Sequence, residues 1–258
     1  MRKYKSWIVG LLGMWILMSS CTVPRIAISD DLAATSEEMK VRRKFFRGWN
    51  QPVKYGEYTS SKIKRGWLQS SETEIGNDVM SRYRTAENKL QFTQFSPGGE
   101  AEVYTVGRLT TTETPLTEVL FGGSMELTHQ DTYSGTIIPN NDESKTWEFV
   151  VEYPDGMSNL SELRNRDNID ERKTGIAKSK DGEEILIRAV RRMEDQISLI
   201  ELDNFGFEFV QNNETIGAVS LLNHGRVWMK NDLSEEKKLV LSSLSTAMLV
   251  RASLEEDT

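Results

Sequence analysis

The chain has 258 residues, a formal net charge of −7 at pH 7 and a single cysteine, Cys21. An acidic chain lacks the basic footprint that binding to nucleic acid requires, so the composition predicts no nucleic-acid partner. One thiol can form neither an internal disulfide nor a structural thiolate metal site, which leaves a hydrophobic core as the source of stability.

Residues 1–20 have the layout of a secretory signal peptide. Basic residues lie within the first five positions, an uncharged apolar run follows from Trp7 to Met18, and the small residues Ser19 and Ser20 precede Cys21. Crossing the hydrocarbon core of a bilayer takes roughly 20 helical residues, so this run is too short to remain as a transmembrane helix.

The segment Met18-Ser19-Ser20-Cys21 resembles the lipobox of bacterial lipoproteins, although Met18 stands where leucine is commonest. The resemblance implies that Cys21 receives a diacylglycerol, that the chain is cut before it, and that acyl chains anchor the mature protein in a membrane of the cell envelope. Several acyl chains on one residue anchor a protein durably. Thr22 follows the cysteine in place of aspartate, which by the family's sorting rule favours the outer membrane. The alternatives are an ordinary cleaved signal peptide, an uncleaved signal anchor, and a cysteine buried as a small hydrophobic residue.

Residues 21–39 are mostly small, polar or acidic, which predicts a flexible tether between Cys21 and a folded body. The next segment, Lys40–Trp49, interleaves five basic residues with Phe45, Phe46 and Trp49. We interpret it as the first amphipathic segment of a single domain that spans residues 40–254, with the aromatic rings turned inward. Contact between these basic residues and anionic lipid headgroups is the alternative.

From Val53 to Lys230 the sequence predicts short strands rich in β-branched and aromatic residues. Turns at Asp181-Gly182, at Asn212-Asn213 and after Pro154 should pair consecutive strands antiparallel. Ser158–Lys173 is either a short helix or an exposed loop, and Pro139–Lys145 is a loop by composition. The clearest strands are residues 89–95, 101–109, 146–153, 183–190, 197–203, 205–211, 215–222 and 225–230.

Residues 234–252 predict a helix with Ser234 as its N-cap and two glutamates in its first turn. The twelve residues between Lys238 and Arg251 carry no charge. Because a surface helix normally has a charged face, this one should be enclosed on most sides. Many antiparallel strands followed by such a helix predict a mainly-β fold, in which a barrel-like or strongly curved sheet encloses the C-terminal helix.

Phe205–Val250 resembles the closing segment of the tubby C-terminal-like superfamily, which includes LURP-one-related proteins and phospholipid scramblases. The matching features are two strands with Gly217 in the second, a strand that carries Val227 and Trp228, an acidic turn and the buried final helix. The resemblance implies a barrel around the helix and suggests the handling of a lipid or another small apolar ligand. The family's phosphoinositide-binding basic residues cannot be carried over to any position of this chain.

The sequence contains none of the common catalytic, metal-binding or nucleotide-binding motifs. Ser124 lies in GGSME, which lacks the second glycine of a nucleophile elbow. There is no P-loop, zinc-protease motif, EF-hand loop or dinucleotide fingerprint, so the sequence predicts no catalytic residue, metal or cofactor. His129, close to Asp131, and His224, at a predicted hairpin turn, are interpreted as surface or turn histidines.

Three arginines surround the end of one predicted strand. Arg188 and Arg192 fall on one strand face and Arg191 on the other, and we expect them to face solvent, with an anion site as the alternative.

These features predict a lipid-anchored protein of the bacterial cell envelope that acts as a non-catalytic binding or assembly module. Its partners would be the membrane, through the acyl chains on Cys21, and a protein or a small apolar ligand. The alternative is an envelope hydrolase whose site joins scattered acidic residues with His129 or His224.

Overall fold

The computed structural model describes residues 24–42, 51–66, 69–75, 81–114, 125–153, 173–194 and 205–255. Within these residues the chain forms fourteen strands, two α-helices and one 3-10 turn at Glu143–Lys145. The helices are α1 Asp30–Thr35 and α2 Glu235–Glu255. The strands are β1 Ser36–Lys40, β2 Lys54–Tyr55, β3 Tyr58–Ser60, β4 Lys64–Arg65, β5 Gln69–Ile75, β6 Ser81–Ser96, β7 Gly99–Thr114, β8 Met125–Pro139, β9 Trp147–Tyr153, β10 Lys173–Ser179, β11 Glu184–Val190, β12 Gly206–Gln211, β13 Glu214–Ser220 and β14 Arg226–Lys230.

The described strands form one antiparallel sheet that curls into a nearly closed barrel. From β6 to β14, strands that follow each other in the chain are neighbours in the sheet. β3, β4 and β5 pair with successive parts of one edge of β6, so the barrel has twelve strand positions. β1 pairs with β14, and a bridge between Arg42 and Lys54 brings the end of β1 to β2. The predicted mainly-β, barrel-like architecture is confirmed.

Alternation along the strands directs one face of the sheet inward. In β11, Ile185 and Ile187 are fully buried, whereas the preceding Glu184 is exposed. The predicted turns at Asp181-Gly182 and Asn212-Asn213 are confirmed, since each joins two antiparallel strands. Asn212 and Asn213 have φ values of 51° and 65°, the left-handed conformation of two-residue turns whose twist suits a hairpin.

α2 lies inside the barrel, as predicted. Every residue from Leu239 to Arg251 is buried, and the apolar ones belong to the same cluster as the inward residues of the sheet. The Ser234 hydroxyl accepts a hydrogen bond from the backbone N–H of Lys237 at 3.2 Å, which confirms the predicted N-cap. The helix continues to Glu255, three residues beyond the predicted end.

The described part of the predicted tether, residues 24–39, is instead folded onto the barrel. Ile26 bridges to Met193, α1 follows, and β1 is a strand of the sheet. Ile26 and Leu32 are fully buried on the outer surface of the barrel, in a cluster with Trp228. The segment has no apolar periodicity of its own, and its order comes from these two residues covering an outward-facing tryptophan, a contact that local sequence does not reveal.

The two ends of the barrel can be told apart by α2. We call the end where α2 begins the entry end, and it is formed by the turns at residues 97–98, 140–146, 180–183, 212–213 and 231–234. The exit end, where α2 finishes, is formed by residues 24–26, 40–42, 190–194 and 221–225. Gly98 lies against Glu235 at the entry end, and Gly225 lies against Leu249 at the exit end.

β6, β7 and β8 are the longest described strands, with 16, 16 and 15 residues. Their outer halves pair with one another and with β5, which forms a four-stranded extension of residues 69–75, 81–88, 107–114 and 125–131. Gly107 lies near Arg251 in the last turns of α2, so the extension leaves the barrel at the exit end.

Several predictions concern residues outside those described. They are the signal peptide at residues 1–20, Cys21, Arg43–Trp49, Ser124, the turn after Pro154, Ser158–Lys173 apart from its last residue, and the strand at residues 197–203.

Candidate functional site

An open cleft at the entry end is the first candidate site. It has a volume of about 700 Å³ and lies between the β10–β11 turn and the β12–β13 turn, where α2 enters the barrel. Both turns are short and rich in residues that tolerate tight reversals, so they hold the two walls of the cleft in fixed positions. The lining residues are Gly182, Glu183, Glu184, Leu186, Val210, Gln211, Asn212, Asn213 and Lys237.

A charged pair occupies the floor of this cleft. The Lys237 ammonium forms a close ion pair with the Glu183 carboxylate, which also accepts a hydrogen bond from the Gln211 side-chain N–H at 3.1 Å. The same ammonium lies 4.6 Å from the ring centre of the buried Trp147, a cation–π distance. These contacts fix the Lys237 side chain across the mouth of the barrel.

The electrostatics of the pair favour recognition over proton transfer. The hydrogen bond from Lys237 lowers the pKa of Glu183, so this carboxylate is ionised at neutral pH. A general acid or base works best when its pKa is near the working pH, and the pairing with Lys237 lowers the pKa of Glu183 away from neutral pH. The cleft can therefore offer a fixed charge pair and exposed amides, Asn212 and Asn213, to a polar partner.

The interior of the barrel holds a buried polar network in addition to its apolar core. The Tyr55 hydroxyl contacts the Ser242 carbonyl oxygen at 2.7 Å and the Thr246 hydroxyl at 3.0 Å. Thr246 donates to the side-chain oxygen of Gln94 at 2.8 Å, and Tyr133 donates to a carbonyl of α2 at 3.1 Å. Burial raises the pKa of Tyr55, and raises that of Tyr133 to about 12, so both stay protonated and hold α2 to the wall.

This filled interior bears on the idea of a ligand-binding barrel. Because the side chains of α2 and of the inward strand faces meet in one cluster, the space that such a barrel would use for an apolar ligand is occupied by the chain itself. A ligand or partner of the described body would instead bind on its outer surface or at its ends.

The N-terminal segment forms the second candidate site, on the outer wall. The buried Glu208 carboxylate accepts a hydrogen bond from the backbone N–H of Ser29 at 3.0 Å. Lys230, also buried, pairs with Asp31 at 2.6 Å and with Glu214, and these partners raise its pKa to about 12. These contacts lock residues 29–31 against β12 and β14.

The two histidines of the sequence lie on separate parts of the sheet. His224 is exposed in the β13–β14 turn at the exit end, far from the entry cleft. His129 is on β8 opposite Thr111, and four strands lie between β8 and β13 in the sheet order. Among the described residues, no group of three histidines, cysteines or carboxylates is arranged to hold a metal ion.

The arginines near the end of β11 are only partly as predicted. Arg188 is half-buried and its guanidinium lies 4.0 Å from the Glu208 carboxylate, so it neutralises a buried charge instead of facing open solvent. Arg191 and Arg192 follow β11 at the exit end, and Arg192 contributes its carbonyl oxygen to the N-terminal segment through a bond from the Ala27 N–H at 2.9 Å.

Sequence reasoning missed the Glu183–Lys237–Trp147 cluster. Its members lie on a hairpin turn, on the first turn of α2 and at the start of β9, and no local pattern links them. The contacts of Glu208 with Ser29 and of Lys230 with Asp31 were missed because residues 21–39 were expected to be flexible.

The chain matches no known protein-family model, no curated protein and no solved structure. In the described part of the chain, no helix combines the length and apolar character needed to cross a bilayer.

Proposed function

We propose that this protein is a lipid-anchored component of the bacterial cell envelope, held by acyl chains on Cys21, whose barrel serves as a non-catalytic binding or assembly module. The observation that carries the proposal is the Met18–Cys21 segment, which joins a signal-peptide layout to a cysteine three residues before Pro24, the first described residue. Acylation at that position gives a single thiol at the edge of an apolar run a clear role.

The body of the protein supports the second part of the proposal. Its interior is filled by α2, and its entry end carries a cleft with an ionised, paired carboxylate and exposed amides. Such a surface suits recognition of a polar partner, such as a protein loop, better than acid–base chemistry. The closed sheet around a C-terminal helix also fits the resemblance to the tubby C-terminal-like superfamily, which we retain as part of the proposal.

Metabolic labelling with an alkyne fatty acid tests the anchor. The full-length wild type, expressed in an enteric host, should take up the label, and Cys21→Ala should not. Thr22→Asp is the matched variant: it should keep the label while the protein moves from the outer-membrane to the inner-membrane fraction of a density gradient. An unlabelled wild type, or a labelled Cys21→Ala, would overturn the anchor, and an unchanged distribution of Thr22→Asp would overturn the outer-membrane assignment.

Site-specific photo-crosslinking in cells tests the binding module. A photoreactive residue in place of Glu184, which lines the cleft, should give one discrete protein adduct. The same residue in place of Glu152, exposed on the outer wall of β9, is the control and should give none. Equal adduct patterns at the two positions, or none at either, would contradict a partner at the entry end.

A further inference from the structure

Pro24, the described residue nearest to Cys21 in the chain, lies at the exit end of the barrel. The side-chain amide of Asn223 donates to the Pro24 carbonyl oxygen at 3.4 Å, and the Glu194 N–H donates to the Arg25 carbonyl oxygen at 3.0 Å. Three peptide units separate Pro24 from Cys21, and they span at most about 11 Å. A lipidated Cys21 would therefore hold the exit end within that distance of the bilayer surface.

The end of β1 lies at the same place. The Val41 N–H donates to the Gly225 carbonyl oxygen at 3.1 Å, next to the β13–β14 turn that contacts Pro24. Lys40 and Arg42, on either side of Val41, are both exposed. Lys40 and Arg42 thus place two basic residues near Pro24, the described residue nearest to Cys21 in the chain.

The segments that form the two ends of the barrel carry net charges of opposite sign. The residues that form the exit end, 24–26, 40–42, 190–194 and 221–225, include Arg25, Lys40, Arg42, Arg191 and Arg192 against one carboxylate, Glu194. Glu38 lies 3.2 Å from Arg226 and 3.7 Å from Arg25, so a single carboxylate is shared by two guanidinium groups. The residues that form the entry end, 97–98, 140–146, 180–183, 212–213 and 231–234, include Asp142, Glu143, Asp181, Glu183 and Asp232 against Lys145 and Lys180.

We propose that the protein is oriented on the membrane, with the basic exit end against an anionic phospholipid surface and the acidic entry end, with its cleft, turned away. The inference rests on the proposed lipidation of Cys21 and adds a direction to it. Basic residues within a Debye length of an anionic bilayer are attracted to it, and the acidic end is repelled. The extension of β5–β8 leaves the barrel at this same end, so its strand ends would also approach the bilayer.

The chain allows the orientation to be measured directly, because Cys21 is its only cysteine and acylation blocks that thiol. A fluorophore can be placed at Glu194→Cys or at Asp181→Cys, two exposed positions that flank the opposite ends of β11. The strand alone separates them by roughly 20 Å. Full-length lipidated protein is reconstituted in vesicles that contain a headgroup-attached quencher, made either with phosphatidylglycerol or with zwitterionic lipid only.

The proposal expects the Glu194 label to be quenched in phosphatidylglycerol vesicles and the Asp181 label to keep its fluorescence. Replacing Lys40 and Arg42 by glutamine should weaken the quenching of the Glu194 label, since each basic residue removed is expected to lower the membrane-facing population roughly fivefold. Replacing Lys178 and Lys180 by glutamine is the matched control at the entry end and should leave the quenching unchanged.

The outcomes distinguish a failure of the proposed orientation from a failure of the proposed lipid anchor. Equal quenching of the two labels, stronger quenching at Asp181, or no effect of the Lys40 and Arg42 replacements would overturn the orientation while Cys21 remains acylated. A parent protein whose Cys21 reacts with the fluorophore and does not stay with the vesicles would overturn the proposed lipid anchor itself.

Discussion

Thr246 is the residue through which α2 and two distant strands share hydrogen bonds. Its replacement by valine measures how much these hydrogen bonds contribute to the free energy of unfolding. Thr246 and Gln94 are both fully buried. The side-chain oxygen of Gln94 can only accept, so the Thr246 hydroxyl proton must point to it across 2.8 Å. The Tyr55 proton is then shared between the Ser242 carbonyl oxygen and the Thr246 oxygen. Valine has nearly the same shape and removes only the hydroxyl.

The expected loss of stability follows from the hydrogen-bond partners that Tyr55 and Gln94 have before and after Thr246→Val. Tyr55 keeps its contact with the Ser242 carbonyl oxygen, so its hydroxyl remains satisfied. Gln94 loses the donor that serves its buried oxygen, and an unsatisfied buried acceptor costs about 1–3 kcal/mol. A central value of about 2 kcal/mol corresponds to a fall in melting temperature of roughly 4–8 °C for a domain of this size.

Thermal unfolding followed by circular dichroism measures this loss, and the neighbouring Ser245 supplies the control. Ser245 is also fully buried in α2, but its hydroxyl has no hydrogen-bond partner within the described structure. Ser245→Ala should therefore change the free energy of unfolding by less than about 0.5 kcal/mol, or raise it slightly. If Thr246→Val is as stable as the wild type, or if Ser245→Ala is destabilised equally, the buried network does not hold α2 in the barrel.

Two further predictions concern a turn and the entry-end ion pair. Gly225 and Gly182 both have positive φ, of 90° and 89°, but an added Cβ at Gly225 would lie 2.5 Å from Leu249, whereas at Gly182 nothing lies within 4 Å. Gly225→Ala should thus lower the melting temperature clearly more than Gly182→Ala, which bears only backbone strain of about 1 kcal/mol, and equal losses would contradict the close approach of the β13–β14 turn to α2. The lowered pKa of Glu183 means that its pairing with Lys237 stabilises the fold above the ordinary glutamate pKa and that this contribution is lost as pH falls through the lowered value. Between pH 7 and pH 3 the free energy of unfolding should therefore fall more for the wild type than for Glu183→Gln. The difference should stay below about 1 kcal/mol because the Glu183 side chain is half exposed. Equal losses would show that the pair is not formed in solution.

The sequence predicts the barrel and its central helix because both leave signals in local pattern. Short strands with alternating burial, two turns of residues that accept positive φ, and twelve uncharged residues in a helix each follow from a rule about nearby positions. The position of β1 leaves no such signal. Its residues, Ser36–Lys40, are polar, and the strand exists because β14 offers it an open edge at the other end of the chain.

The candidate site at the entry end could not be predicted for a related reason. Glu183 and Lys237 are 54 positions apart, and their meeting depends on how the β10–β11 turn sits over the start of α2. The sequence predicts part of the basic exit end, since Lys40 and Arg42 belong to a segment rich in basic residues, Lys40–Trp49. The contact of Val41, between Lys40 and Arg42, with the β13–β14 turn that also contacts Pro24 appears only when the strands are paired.

The N-terminal segment and α2 cover opposite faces of the same three strands, and this explains the composition of β12–β14. A strand buried on both faces needs apolar residues at consecutive positions instead of alternate ones. Trp228 is covered outside by residues 26–32, while its neighbours Val227 and Met229 belong to the inner cluster. The charged side chains that interrupt this region and are buried, Glu208 and Lys230, each have a partner in the N-terminal segment. Removing that segment would uncover a tryptophan and take one partner from each of two buried charges, leaving Glu208 with Arg188 and Lys230 with Glu214. The N-terminal segment from Ile26 onwards is therefore part of the fold.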